Sequence, residues 1–380
     1  MSTQITKRML LGKGGLAAGV GVGALALLAP QRASADTPFT SFPFPATGAP
    51  TPRTMPARLA DIKNVKDFGA KGNAIDDDTA AINAAVNATA GGAKGLVFFP
   101  PGKYRTTGPI TYNSDGDGHS VIFQGVGDLS EIFGNFPGYI FDRSVANPTP
   151  GVNVVRELKI GNGHANGGGV RMRGVVGTAS IESCRIGAWR GVALTNGNAW
   201  EVRNCQIVAS ASPGSIGILC SNGATLVNND IVAFDHGIRH FNAGLQVIGG
   251  RIEVCNIGMQ LGQQEDGTTF QTSGFMLAGV SMESCLIGVN LHNAFNGVMN
   301  GMFVTAHANT TRGQPMTGID YAGSAQIATI GAVCSGQFVR AGYATECIGG
   351  NTFISCGVNN SIGPGWLLPS NPAKITRIQC

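Results

Sequence analysis

The chain repeats a pattern in which a glycine is followed by alternating apolar and variable residues. Alternation with a period of two is typical of a strand that buries one face. Seven segments carry the pattern, and the intervals between their glycines are 22, 26, 20, 21, 30 and 30 residues. The segments begin at Gly169, Gly191, Gly217, Gly237, Gly258, Gly288 and Gly318. The pattern therefore predicts a strand at the same place in every repeat.

A second pattern lies between these strands and places isoleucine two residues after a small polar or thiol residue. It is carried by Cys184-Arg185-Ile186, Cys205-Gln206-Ile207, Asn229-Asp230-Ile231, Cys255-Asn256-Ile257 and Cys285-Leu286-Ile287. Two patterns at one slowly varying period indicate that each repeat is a coil of several short strands. Stacked coils, about 4.8 Å apart, bury inward side chains that one coil cannot bury alone. We therefore predict an all-β, single-stranded parallel β-helix.

Cysteine occupies four of the five positions in the second pattern, which favours small, buried, stacked side chains over reactive ones. A disulfide between neighbouring coils, such as Cys184–Cys205, is the alternative and requires suitable side-chain directions. The nine cysteines are an odd number, so an exported monomer keeps at least one thiol unpaired. None of them forms a C-x-x-C pair, which argues against a zinc site.

Residues 62–135 resemble the N-terminal module of the pectate-lyase-like superfamily, in particular its family 28-related proteins. The segments that carry the resemblance are Val65-Lys66-Asp67-Phe68-Gly69-Ala70-Lys71-Gly72, Asp76-Asp77-Asp78-Thr79-Ala80-Ala81-Ile82-Asn83-Ala84-Ala85 and Val97-Phe98-Phe99-Pro100-Pro101-Gly102-Lys103-Tyr104. The resemblance implies a right-handed β-helix whose first coil is capped by an α-helix, which we expect to begin near Asp76–Thr79 and to end at Gly91-Gly92. Members of the superfamily include pectin-degrading hydrolases and lyases, epimerases and phage tailspike depolymerases, so the resemblance implies a polysaccharide ligand but not one reaction.

The catalytic pattern of the polygalacturonase relatives is not found in this sequence. Asn228-Asn229-Asp230 resembles their Asn-Thr-Asp motif, but one coil later the chain reads Gly250-Arg251-Ile252 in place of an acid pair. The sequence contains neither Gly-His-Gly nor Arg-Ile-Lys. That active site is therefore not carried over to this chain.

The N-terminus has the pattern of an export signal. Lys7-Arg8 precede a glycine-rich apolar stretch over residues 14–30, and Ala33-Ser34-Ala35 follows as a cleavage site. The segment is similar to a twin-arginine signal with lysine at the first position, and Sec export stays open. We expect a signal peptide over residues 1–35, a Pro-rich linker over 36–58 and the β-helix over 59–380. We also expect a periplasmic or secreted protein with no stable membrane span after signal removal.

The charge excludes one class of partner. Of 26 basic residues, four lie in residues 1–35 with no acid, so 22 basic and 22 acidic residues remain. A neutral body lacks the basic surface of a nucleic-acid-binding protein. A polysaccharide fits this charge better, and the sequence does not set the oligomeric state.

Side chains that alternate outward on the glycine-led strands form one predicted row. Its polar members, the predicted substrate-binding residues, are Arg171, Gln260, Asn290 and Asp320. Guanidinium and amide groups suit sugar hydroxyls and carboxylates. An ordinary solvated sheet face is the alternative interpretation.

The densest titratable cluster gives the predicted catalytic residues, Asp235, His236 and Arg239. They offer a base and a carboxylate clamp for elimination from a uronic acid. His240 is expected to point inward. The insertion containing Glu265 and Asp266 is expected to overhang this face and to supply further carboxylates or Ca²⁺ ligands.

Two functions follow from these observations. The first is an exported enzyme, a lyase or depolymerase of an acidic glycan such as pectin, in which Ca²⁺ or arginine neutralises the sugar carboxylate. Hydrolysis would need two carboxyl groups across the bond. The second is a non-catalytic glycan-binding or surface-structural β-helix. The sequence identifies no metal ligands and no particular cofactor.

Overall fold

The architecture is taken from a computed structural model of the chain. It describes residues 43–44, 53–89, 95–112, 120–306, 317–321, 324–330, 332–336, 340–344, 351–354, 357–359, 366–367 and 375–378. The predicted signal peptide lies outside these residues, as does most of the predicted linker. Within the described residues, no helix combines the length and apolar character needed to cross a membrane.

The chain divides into two compact units, residues 1–57 and 58–380. In the first unit, strands Pro43–Phe44 and Arg53–Thr54 pair antiparallel. Helix α1, Met55–Leu59, spans the boundary between the units. The second unit is the β-helix.

The β-helix has three faces of parallel strands, and each coil contributes one strand to each face in turn. Face A contains the glycine-led strands: Ile110–Thr111, Arg190–Thr195, Ile216–Ser221, His236–Ala243, Ile257–Leu261, Ile287–Leu291, Thr317–Tyr321, Arg340–Ala344 and Trp366–Leu367. Face B contains Ile62–Asn64, Gly95–Phe98, Trp200–Arg203, Ala224–Val227, Leu245–Ile248, Met276–Ala278, Asn293–Asn300, Ser324–Ile330, Asn351–Ile354 and Ile375–Ile378.

Face C contains Asn73–Asp77, Gly102–Thr106, Arg185–Gly187, Gln206–Val208, Asp230–Val232, Arg251–Glu253, Ser281–Glu283, Phe303–Ala306, Val333–Gly336 and Gly357–Asn359. Three long strands run around corners and join several faces: Val121–Gly134, Gly138–Asn162 and Gly167–Glu182. Thr272–Ser273 pairs with the end of His236–Ala243 and with Asn293–Asn300. The predicted right-handed parallel β-helix is therefore confirmed.

The register of face A confirms the glycine-led pattern. Each residue that follows a repeat glycine pairs with its counterpart in the next coil, and all of them are at most 1% exposed: Val170, Val192, Ile218, Ile238, Met259, Val289 and Ile319. Equivalent apolar side chains thus stack in the core, and each coil covers the apolar surface of its neighbours.

Glycine is required in face A because neighbouring coils approach closely there. A Cβ atom placed on Gly217 would lie 2.5 Å from the carbonyl oxygen of Gly237, and one on Gly237 would lie 2.6 Å from that of Gly258. Every described repeat glycine up to Gly288 has such a contact with the next glycine. A carbon atom cannot sit at this distance from an oxygen, so any side chain would push the coils apart.

The five segments of the second sequence pattern lie at two different corners of the coils. The expectation that they stack in one column is therefore wrong. Cys184, Cys205 and Asn229 precede strands of face C, and the isoleucines that follow them pair with each other. Cys255 and Cys285 instead precede strands of face A, where Ile257 pairs with His236 and with Ile287. The two groups have similar sequences because both corners place a small buried residue just before a strand.

The described part of the chain bears out the interpretation of the cysteines as buried thiols. Cys184, Cys205, Cys220, Cys255 and Cys285 are all free and buried, so the alternative Cys184–Cys205 disulfide is not formed. Asn229 replaces a thiol in this stack, and its amide accepts from Cys205 N at 3.1 Å and donates to Val202 O at 2.8 Å. Burial raises the pKa of the Cys220 thiol to about 12.

The N-terminal module differs from expectation in detail. A strand would be expected from the apolar Val65 and Phe68 before the turn at Gly69, but Val65–Phe68 is a 3₁₀ helix closed by Gly69 in the left-handed conformation. Helix α2, Thr79–Asn87, begins where the acid run predicts, and it buries Ile82, Ala85 and Val86. The Asp78 carboxylate accepts hydrogen bonds from Lys71 N at 2.6 Å and Gly72 N at 3.0 Å. The expected helix end at Gly91-Gly92 lies outside the described residues, and the capping role of α2 stays a prediction.

We expect Gly217→Ala to destabilise the protein by about 2 kcal/mol or more, because the added methyl group meets backbone that cannot move independently. The matched control is Gly187→Ala on face C, where a Cβ meets nothing within 4 Å. Urea unfolding monitored by circular dichroism measures both. A control that loses as much stability as Gly217→Ala would contradict the role of coil spacing.

We expect the five buried thiols to resist alkylation in the native state, because burial makes them inaccessible to the reagent. Iodoacetamide at neutral pH followed by peptide mass spectrometry should leave them unmodified and should modify them all after denaturation. Rapid native labelling of any of the five would contradict this placement.

Candidate functional site

The predicted outward row of face A exists as a row. Strand register aligns Asp142, Arg171, Ala193, Leu219, Arg239, Gln260, Asn290 and Asp320 on successive coils. Its centre is not an ordinary solvated face, because Leu219 and Arg239 are 8% exposed and Gln260 is 2% exposed. Other parts of the chain therefore cover the middle of the row.

A groove of about 660 Å³ lies on the outer side of face A. Its apolar floor is a buried cluster in which Ala193 and Leu219 of the row pack with Tyr139 and Ile216, against Phe241. Its polar lining includes Arg171, Arg173, Arg190, Thr195, Asn196, Ser221, Asn222, Asn242, Gln264, Glu265 and Asp266. An apolar floor with a polar rim is the usual composition of a small-molecule site.

The loop 262–271 forms one wall of the groove, as the sequence predicts. It leaves face A after Leu261, is closed by an isolated bridge between Gln263 and Thr269, and packs the ring of Phe270 5.9 Å from that of Phe241. Glu265 Oε1 lies 2.9 Å from Arg190 Nη2. Arg190 begins a strand three coils earlier, about 14 Å away at the usual strand spacing. The loop therefore folds back across the coils between them.

Two arginines hold the opposite wall. Arg171 makes a double hydrogen bond with Asp142, at 2.7 and 2.6 Å, and its guanidinium lies 5.1 Å from the centre of the Tyr139 ring. Arg190 lies close enough to Tyr139 to affect its pKa, and its guanidinium lies 4.9 Å from the centre of the Trp189 ring. Both cations are thus fixed in direction by aromatic and acidic neighbours.

The pKa values of Arg171 and Tyr139 are both raised, for different reasons. The double hydrogen bond to Asp142 raises the pKa of Arg171, so this side chain stays charged. Burial raises the pKa of Tyr139, and the positive charge of Arg190 opposes that shift. Tyr139 is therefore a neutral phenol, able to donate a proton, with a cation beside it.

The family follows from the same stretch of chain that builds the groove. A model of the family "Rhamnogalacturonase A/epimerase, pectate lyase-like" matches residues 62–290, more than half of the sequence. The chain belongs to this family. The groove, with its floor, both arginines and the loop, lies within the matched residues.

Two similar proteins of Azotobacter vinelandii each match this chain over a short segment. Mannuronan C5-epimerase AlgE5 of Azotobacter vinelandii is 53% identical over 45 residues, 12% of this chain and 4% of that protein. Alginate lyase 7 of the same organism is 53% identical over 45 residues, 12% of this chain and 5% of that protein. The chain thus spans a small part of these relatives.

Solved structures show the shared fold of the pectate lyase-like family over most of the chain. The tailspike protein of Escherichia coli bacteriophage HK620, determined with a hexasaccharide, has a TM-score of 0.69 at 13% identity, covering 90% of this chain and 69% of that one. The A-module of Azotobacter vinelandii mannuronan C-5 epimerase AlgE4 has a TM-score of 0.59 at 15% identity, covering 84% of this chain and all of that one.

The predicted catalytic residues contact one another but do not line the groove. Arg239 Nη2 donates to His236 Nε2 at 3.0 Å, and His236 Nδ1 lies 3.5 Å from Asp235. The Asp235 carboxylate accepts hydrogen bonds from Gly214 N at 2.8 Å and from the Asn256 amide at 2.6 Å. Asp235 thus bridges neighbouring corners, and its catalytic role stays a prediction.

Burial sets the protonation of the two histidines on this strand. Burial and, to a smaller extent, the positive charge of Arg239 lower the pKa of His236 to about 4, while Asp235 opposes the shift. Burial also lowers the pKa of His240 to about 4; this side chain points inward, as expected, and contacts Asn222 O at 3.3 Å. Both histidines are therefore neutral at pH 7.

Of the four predicted substrate-binding residues, Arg171 lines the groove. Gln260 is buried, and Asn290 and Asp320 are half-buried further along the row. Their binding roles stay predictions.

Sequence reasoning missed Tyr139 and Arg190. Arg190 could have been found from its place in the sequence, because it lies directly before a repeat glycine and directly after Trp189. Tyr139 lies outside the repeats and offers none.

The groove carboxylates do not match a Ca²⁺ site. Among the described residues, no group of three or more His, Cys, Asp or Glu side chains could hold a metal ion. Glu265 is paired with Arg190, and Asp266 accepts from Thr268 N at 2.8 Å. The role of these two acids as Ca²⁺ ligands stays a prediction, with no third carboxylate, histidine or cysteine grouped with them in the described part of the chain.

We expect acidification to destabilise the protein between pH 6.5 and 4 because of the buried histidines. The unfolded chain protonates near 6.5 and the folded one near 4, so unfolding takes up protons in this window and the free energy of unfolding falls. Each histidine contributes at most about 3 kcal/mol. The carboxyl groups whose pKa is lowered, such as those of Glu131 and Glu182, change the free energy of unfolding only below about pH 4.5.

Urea unfolding at several pH values measures the slope. His236→Gln and His240→Gln should each flatten it, compared with His164→Gln at a half-buried histidine of another corner. Equal slopes in all variants would contradict the neutral, buried state.

Proposed function

We propose that this protein is an exported enzyme that cleaves an acidic polysaccharide by elimination within the groove of face A. The observation that carries the proposal is the set of three arginines, Arg171, Arg173 and Arg190, around an apolar floor that contains Tyr139. Guanidinium groups bind carboxylates, and apolar surface packs on the faces of sugar rings. The names of the relatives, an epimerase and a lyase of uronic acid polymers, support this substrate class. The signal pattern in residues 1–35 supports export.

Elimination needs a cation on the sugar carboxylate, a base for the proton alpha to it, and an acid for the leaving oxygen. Arg190 and Arg173 are the proposed clamp; Arg173 is exposed and makes no ion pair with any described residue. Tyr139, held neutral by burial, is the proposed acid. Glu265, at the groove and 2.9 Å from Arg190, is the proposed base.

A substrate carboxylate would compete with Glu265 for Arg190. Once the sugar carboxylate takes the guanidinium, Glu265 loses its partner and faces the sugar ring as a free base. In this assignment, Glu265 pairs with Arg190 before the substrate binds and acts as the base afterwards. The cluster of Asp235, His236 and Arg239 is the rival assignment for the base and the clamp.

A non-catalytic glycan-binding role is the second candidate function. It is favoured by the ion pairs that Arg171 and Arg190 make with Asp142 and Glu265 of the chain itself. Such a protein would bind the polysaccharide and release it intact.

We expect Arg190→Gln, Tyr139→Phe and Glu265→Gln each to reduce cleavage about 100-fold or more, because each removes a group that acts on the developing charge. Ultraviolet absorbance of the unsaturated product, with polygalacturonate and alginate as substrates and a neutral glucan as blank, measures cleavage. Arg203→Gln on face B is the matched control, since Arg203 is exposed and lies outside the groove.

Asp235→Asn, His236→Gln and Arg239→Gln test the rival assignment in the same assay. Loss in these three with normal activity in the groove variants would overturn the groove assignment. Binding without any product from the wild-type protein would favour the second function.

A further inference from the structure

A second hollow, of about 490 Å³, lies on the corner between faces C and A. Half of its lining residues are glycine, alanine or serine, and the larger ones include Asn162, His164 and Val208. Trp189 forms one side, and Lys159 and Arg185 also line it. The hollow and the groove share no lining residue, but Trp189 and Arg190 are adjacent in sequence and separate the two.

The glycines of this hollow are not explained by packing. A Cβ on Gly187 would meet nothing within 4 Å, and one on Gly161 would meet only Phe133, at an ordinary 3.7 Å. Neither glycine has a positive φ. Their counterpart in the next coil is Val208, so the strand accepts a side chain at this place. At these two positions, glycine leaves open a space that a larger side chain would fill.

Trp189 is suited to hold a sugar ring in that space. Its side chain is half-buried, and the guanidinium of Arg190 lies over the ring at 4.9 Å. The indole is therefore anchored from the side of the groove while it lines the hollow. A large rigid aromatic surface loses little conformational freedom when it packs against the apolar face of a ligand.

The charges of the hollow favour an acidic sugar. Arg185 is 53% exposed and lies 3.5 Å from Asp128, itself 61% exposed, which is a weak, solvent-screened ion pair. Lys159 lies 2.9 Å from Glu131, which also contacts Lys103 at 3.5 Å. Arg185 is thus held loosely and is available to a carboxylate.

We propose that this hollow is a distal binding site for a sugar residue of the acidic polysaccharide, which continues past the groove and over the Trp189–Arg190 ridge. The choice of an acidic polysaccharide rests on the proposed function. The site gives the protein a preference for long chains, because only a chain that spans the ridge fills both places. The gain comes from linking two contacts in one ligand.

The test measures binding instead of cleavage. Oligogalacturonates and oligomannuronates of increasing length are titrated while tryptophan fluorescence is recorded. The chain has two further tryptophans, Trp366 and the buried Trp200, so Trp189→Phe identifies the part of the signal that comes from Trp189. We expect a saturable change with long oligomers that is absent in Trp189→Phe.

Gly187→Val fills the hollow and is expected to weaken binding of long oligomers about tenfold, with no effect on disaccharides that reach only the groove. Gly187→Ala is the matched small control. Should Gly187→Val fail to fold, as judged by thermal unfolding, Arg185→Glu addresses the same site from its exposed rim and should weaken long acidic oligomers by a similar factor.

The outcomes separate the two proposals. Normal length dependence in Gly187→Val and Arg185→Glu, or a fluorescence change that survives in Trp189→Phe, overturns the distal site whether or not the enzyme cleaves. Length-dependent binding that these variants abolish supports the distal site, even if the wild-type protein releases every oligomer intact and the elimination proposal fails.

Discussion

The close approach of one coil to the next is the constraint on which the rest of this structure depends. On face A, the carbonyl of each repeat glycine lies where the preceding glycine would carry a side chain. That contact keeps equivalent residues of successive coils in register, so apolar side chains stack inward and a second set stacks outward. The core and the outer row are therefore two consequences of one spacing.

The groove uses this regularity and interrupts it. Ala193 and Leu219 belong to the outward row, yet they are buried, because Tyr139 and the loop 262–271 pack near them. The loop spans three coils and is held at its far end by the contact of Glu265 with Arg190. A repetitive scaffold thus gains a specific site from one insertion and one aromatic residue that lies outside the repeats.

Periodic features of this fold can be predicted from the sequence, and the corner at which a short motif lies cannot. The glycine-led strands and the outward row could be predicted, because periodicity fixes which residues share a face. The assignment of Cys255 to the same ladder as Cys184 was wrong, because a three-residue similarity does not say which corner of the coil it occupies.

The candidate site was harder to predict for a different reason. Asp235, His236 and Arg239 are close in sequence and in space, but the carboxylate is taken up by Gly214 N and Asn256. The contact between Arg190 and Glu265 joins residues 75 positions apart through a loop without periodicity. Nothing local in the sequence specifies such a contact.

The spacing of the repeat glycines has a consequence for how this scaffold can vary. Coils of 20 and of 30 residues stack in the same register, so the extra residues leave the helix at a corner and return to it without disturbing the next strand. The corner after Leu261 thus takes up residues 262–271 while the strands on either side keep their register with the neighbouring coils. In such a protein, a changed loop at one corner can alter ligand preference while the hydrogen-bonded strands of the β-helix stay the same.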